Sequence, residues 1–97
     1  MNEIISLIIN IEVKAGRRQE QIDAFSAIST LVLEEVGCLQ YELKAVQGDE
    51  NKFVILEKWS SKEALLAHEK EDFMIEADKK NALFRAKGAE IIFLTSV

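Results

Sequence analysis

The run EIISLIINIEV, Glu3–Val13, is rich in β-branched residues and reads as a strand, yet it does not alternate apolar with polar. Ile5, Leu7, Ile9 and Ile11 fall on one side of it, and Ile4 and Ile8 on the other. Two later runs share this property. KFVILEKW sets Phe53 and Ile55 against Val54 and Leu56, and AEIIFLTSV sets Ile91 and Phe93 against Ile92 and Leu94. A strand with one wet face alternates, whereas a strand apolar on both sides needs cover on both. That requirement limits the fold more than any motif in the chain does.

The segments between these runs decide what can supply the cover. After a turn at KAG, the run RRQEQIDAFSAISTLVLEEV places Ile22, Phe25, Ile28, Val32 and Val36 on one stripe. Their spacings of three and four predict an amphipathic helix, closed by Gly37. CLQYELKAV alternates cleanly, with Leu39, Tyr41, Leu43 and Ala45 on one face. A turn at QGDEN joins it to KFVILEKW as a hairpin. SSKE matches a capping box, with Ser60 as N-cap and Glu63 three residues on. It opens a helical region from Ser61 to about Ala86, with a break near Glu71–Phe73, before the last strand.

The order βαββαβ predicts one α+β domain over residues 1–97, ferredoxin-like, with a four-stranded antiparallel sheet and the helices on one face. The second face would then stay bare, as an apolar patch larger than monomers usually expose. The chain is therefore expected to form a homodimer whose two sheets pack face to face.

Composition narrows the function classes. A net charge of −5 argues against nucleic acid, whose binding rests on Lys and Arg meeting phosphates. No segment approaches the roughly 20 apolar residues that span a bilayer. The start MNEIISLIIN has an acid where a signal peptide has its basic region, so it does not read as one. Cys38 stands alone, which suits a reducing compartment, most simply the cytoplasm. One histidine and the run HEKED lack the spacing of metal-ligand sets, so no metal is expected, and no phosphate loop or nucleophile elbow is present.

Polar residues embedded in apolar runs are the candidates for chemistry. Phe53, Ile55, Glu57 and Trp59 share a face if the alternation holds. Glu57 on that face must be paired, near an edge, or protonated; a strand-end salt bridge is its plain explanation. Trp59 can anchor a core or wall a pocket, and the hydroxyl of Tyr41 needs a partner that a pocket can supply. Asn10 can bond backbone at a bulge or face a ligand. His68 shares the inward stripe of the second helical region with Ala64 and Leu65. It is either a core histidine hydrogen-bonded to backbone or a base, since imidazole changes charge near working pH.

EEVGCLQYEL followed by NKFVILEKWSSKEALLAHEKEDF resembles the antibiotic biosynthesis monooxygenase family of dimeric α+β barrels. The resemblance is carried by Gly37, Cys38, Tyr41, Leu43, Phe53, Glu57, Trp59, Ala64, His68 and Phe73, and covers roughly Ile4–Phe73. The chain departs from the family pattern at Val36, where proline is frequent, and at Asp72, where many members carry a second histidine. Ala77 stands where the haem-degrading branch has its histidine. The resemblance implies a cofactor-independent monooxygenase acting on a quinol or polycyclic aromatic molecule in an apolar pocket. It implies His68 and Tyr41 as catalytic residues, with Asn10, Glu57, Trp59 and Phe73 around the substrate. The alternatives are a non-catalytic ligand-binding or stress-related dimer, and an isomerase-like member of the same family.

Overall fold

The structure, a computed structural model, describes residues 3–97; Met1 and Asn2 lie outside the described residues. Its elements are β1 (Ile5–Glu12), α1 (Arg18–Leu33), β2 (Cys38–Ala45), β3 (Lys52–Trp59), α2 (Lys62–Glu69), α3 (Asp72–Phe84) and β4 (Glu90–Leu94). The strands form one four-stranded sheet in the order β2-β3-β1-β4, with every neighbouring pair antiparallel. This is the ferredoxin-like βαββαβ arrangement, with the second helical region split at Lys70–Glu71 into α2 and α3.

Register fixes which side chains meet. On the inner face Tyr41, Glu57, Leu7 and Phe93 form one cross-strand row, and Leu43, Ile55, Ile9 and Ile91 the next. On the outer face Leu56, Ile8 and Ile92 lie side by side. The core sits between the inner face and the helices, where Leu7, Ile11, Val13, Val32, Phe53, Ile55, Trp59, Leu65 and Phe84 are buried. Each such aliphatic or aromatic side chain contributes roughly 1.5–3 kcal/mol by leaving water.

Three local expectations are corrected. The N-cap of α2 is Ser61, whose Oγ accepts from the Ala64 N–H at 3.1 Å, and not Ser60. Ser60 is still held to the sheet end by its own N–H, which donates to the Gly37 carbonyl at 2.8 Å. Helix α1 ends at Leu33, so Val36 leaves the stripe and is 92% exposed. A register shift between Cys38 and Gln40 turns Leu39 out of the inner face, and it is 53% exposed.

Gly37 is where the chain needs a glycine. Its φ is +87°, and a Cβ there would lie 2.5 Å from Ala64 Cβ and 2.6 Å from Ser60 Oγ. The turn after α1 and the first turn of α2 can approach this closely only without a side chain between them. Strand β4 is the opposite case. Both of its faces are open, and even on the inner side Phe93 is 61% exposed.

Candidate active site

Capping by Ser61 sets the phase of α2, and Leu65 and His68 are its two buried side chains. His68 thereby points inward over the end of β3, with its ring 4.6 Å from that of Trp59 and tilted by 34°. Its Nδ1 lies 2.7 Å from Oε2 of Glu35, which comes from the turn between α1 and β2. This pairing takes one ring nitrogen and orients the imidazole, leaving Nε2 for a ligand. The arrangement has the logic of a carboxylate that holds a histidine base in one tautomer.

Trp59 is fully buried, and its indole N–H donates to Glu57 Oε1 at 3.0 Å. Burial pushes the Glu57 carboxyl above its ordinary range, against the opposing pull of that hydrogen bond and of nearby His68. Tyr41, the cross-strand neighbour of Glu57, stacks on Phe25 with ring centroids 4.8 Å apart. Burial first, and the Glu57 charge second, push its phenol well above the ordinary range, so Tyr41 stays a hydrogen-bond donor. Burial also raises the Cys38 thiol, with Glu35 and Glu57 adding to the effect, which makes that sulfur a poor nucleophile.

A cavity of about 240 Å³ lies between the sheet and the three helices. Tyr41, Glu57 and His68 line it together with apolar Leu7, Ile9, Phe25, Ile28 and Ile55. Its far wall is polar, formed by Gln21 of α1, Asp78 and Asn81 of α3, and Arg85 just beyond α3. The wall is thus mixed rather than apolar throughout. Among the described residues, no group of three or more His, Cys, Asp or Glu is placed to hold a metal ion.

The structure brings His68, Tyr41 and Glu57 together, with Trp59 behind them rather than on the wall. Phe73 is half-buried on α3 and packs against the core. Asn10 is elsewhere. Ile9 and Ile11 point inward, so the period of two sends Asn10 to the outer face, where its Nδ2 donates to Glu90 Oε1 at 3.0 Å.

Three residues of the site escaped the sequence reading. Glu35 carries no local sign of its partner, which is 33 positions away. Gln21 was findable: it stands four before Phe25 on the line that continues through Ile28 and Val32, and it is only 1% exposed. Arg85 is the one arginine outside the Arg17–Arg18 pair, and its Nε donates to Gln21 Oε1 at 3.1 Å.

Comparison with known proteins bears on what such a site does. Residues 4–80 match the protein family described as antibiotic biosynthesis monooxygenase. YcnE of Bacillus subtilis (strain 168), provisionally named a monooxygenase, is 35% identical over 65 residues, which is 67% of this chain and 68% of that protein. A Caulobacter crescentus structure, provisionally named an antibiotic biosynthesis monooxygenase, superposes with a TM-score of 0.91 at 25% identity, over 99% of this chain and 92% of that one. PA3566 from Pseudomonas aeruginosa shares the fold with a TM-score of 0.90 at 24% identity, over 100% of this chain and 97% of that one.

Proposed function

Because the chain belongs to the antibiotic biosynthesis monooxygenase family, we propose that its cavity binds a small electron-rich aromatic, such as a quinol, and that His68 initiates oxidation of this molecule by molecular oxygen. The observation that carries this reading is the hydrogen-bond geometry of His68 and Glu35 at the wall of a cavity that Tyr41 also lines. A volume of about 240 Å³ lies below the roughly 300 Å³ at which drug-sized ligand sites begin, which favours one or two rings over a larger polycycle.

Triplet oxygen does not react directly with a closed-shell molecule, but an electron-rich anion can pass it one electron. His68 Nε2 takes the proton of a quinol hydroxyl, and Tyr41 donates a hydrogen bond to the anionic oxygen left behind. One electron then moves from that anion to oxygen, giving a semiquinone radical and superoxide. The two radicals join in a carbon–oxygen bond, and a proton returned through His68 completes a hydroperoxide. Its O–O bond breaks, a hydrogen leaves the same carbon as a proton, and water departs. Quinol plus oxygen thus becomes hydroxyquinone plus water, with no further reductant. Partial exclusion of water protects the radical pair.

Two copies of the chain pack their outer sheet faces together in this reading. The support is the row Leu56, Ile8 and Ile92, extended by Val54 and Leu94, on the face away from the core, which none of the described helices covers. The β2 end of that face is polar, with Gln40 donating to Glu42 Oε1 at 2.6 Å and Lys44 3.4 Å from Glu42, so the contact centres on β3, β1 and β4. A cytoplasm, which keeps Cys38 a free thiol, suits the same reading. Oxygen uptake by the purified protein in the presence of a quinol, compared with His68→Ala, is the direct test.

A further inference from the structure

Arg85 is a charge with no counter-charge in contact with it. It follows α3 directly, and its backbone bridges to Val13 beside the sheet. Its side chain lines the cavity from the end opposite α2, and its Nε donates to the amide oxygen of Gln21, a neutral partner. Among the described residues it makes no ion pair. Asp78 lines the same cavity and acts on the guanidinium only through space, and burial still pulls the Arg85 pKa down.

Charges withdrawn from water are normally paired, because an unpaired one is costly in a low-dielectric site. Gln21 does not neutralise Arg85; it orients it. A guanidinium carries five N–H donors in a rigid planar fork, and the bond to Gln21 uses only the one on Nε. The remaining edge has the geometry that receives a planar oxyanion through two parallel hydrogen bonds. Gln21, buried in the first turns of α1, fixes the plane of that fork.

We propose that Arg85 is the anion-binding residue of the cavity, and that the ligand of this protein is an aromatic molecule bearing an ionised oxygen, carboxylate or phenolate, docked on the free edge of the guanidinium. This rests on the reading of the cavity as a substrate site. It adds a requirement that a neutral quinol does not meet: part of the ligand is already charged when it enters.

The test is binding, measured calorimetrically without any turnover, with probes in matched pairs. A naphthoate is compared with the corresponding naphthamide, and nitrophenolate with nitroanisole. The wild-type protein binds the charged member of at least one pair about tenfold or more tighter, the size of a charge-assisted bidentate contact. The pair with the larger preference tells carboxylate from phenolate. Arg85→Gln abolishes the preference by weakening naphthoate binding far more than naphthamide binding, while Arg85→Lys, which keeps charge without the fork, retains only part of it. Equal affinity for charged and neutral probes in the wild type, no binding of either anion, or a preference that survives in both variants overturns the assignment. The wild-type comparison stands even if Arg85→Gln fails to fold. Oxygen uptake does not enter the readout, so a protein that selects the anion but never consumes oxygen sinks the oxygenase reading alone.

Discussion

Nδ1 of His68 and Oε2 of Glu35 lie 2.7 Å apart, joining the turn after α1 to the last turn of α2 across 33 residues. The histidine side chain is 5% exposed and the glutamate 12%, so the pair is held where little water competes for it. A hydrogen bond in such a place orients a ring far better than it would on the surface.

Under the proposed mechanism, removing His68 removes the reaction. His68→Ala lowers oxygen uptake on a reactive quinol by about a hundredfold or more, the usual contribution of a general base. Glu35→Gln, which keeps a hydrogen-bonding group but not its charge, lowers it by about tenfold or more through loss of the preferred tautomer. An oxygen electrode reads both, with circular dichroism as the control for folding. An unchanged rate in His68→Ala removes the histidine from the mechanism.

Trp59 and Glu57 form a second buried pair, with the indole N–H 3.0 Å from the carboxyl. Trp59→Phe keeps an aromatic ring but leaves that carboxyl without its donor. The expected loss is about 1–3 kcal/mol for the unpartnered polar group, before any cavity left by the smaller ring. Urea denaturation of Trp59→Phe, of Glu57→Leu, which removes the acceptor, and of the double variant closes a double-mutant cycle. A coupling energy of zero shows that the hydrogen bond contributes nothing.

Glu57 also gives stability a slope with pH. Its folded-state pKa is raised by burial, so the folded protein keeps a proton that the unfolded chain has already lost. Its contribution is full below the ordinary carboxylate range and falls as pH rises through the raised value. Glu57→Gln cannot titrate there. Relative to that variant, the wild type loses stability between acidic and neutral pH, as followed by urea midpoints in a pH series. A difference that stays flat, or that grows in favour of the wild type, contradicts the assignment.

The outer sheet face yields a prediction about mass. Ile8 sits in the middle of the uncovered apolar row, between Leu56 and Ile92. The wild type sediments at equilibrium as a dimer at micromolar concentration, and Ile8→Glu, which sets a charge at the centre of the contact, sediments as a monomer. A wild-type monomer under the same conditions rules out the face-to-face dimer.

Much of this architecture could be read from side-chain spacing, because spacing is what a strand or helix repeats. The alternation that placed Glu57 and Trp59 beside Phe53 and Ile55 held through β3, where all four are buried. The break before Phe73 and the left-handed Gly37 were legible as interruptions of pattern. What failed lay at the ends of elements, where one residue decides the outcome: Ser61 in place of Ser60 at the cap, and Leu39 turned out at a register shift. The alternation in β1 could have excluded Asn10 from the inner face, because Ile9 and Ile11 occupy it. The pairs Glu35–His68 and Gln21–Arg85 were beyond reach, since they join residues 33 and 64 positions apart and depend on how the helices dock.

Gly37 bears on the site although it has no side chain. It lies two residues from Glu35, and across the contact it meets Ser60 and Ala64, the latter one turn before His68 on α2. The hydrogen atom in place of a methyl group therefore acts as the spacer that sets how far the carboxylate stands from the imidazole. Substitution at this position would behave in an assay as a defect of the base, with both titratable side chains still present. A search for inactivating changes that inspected only functional groups would pass over it.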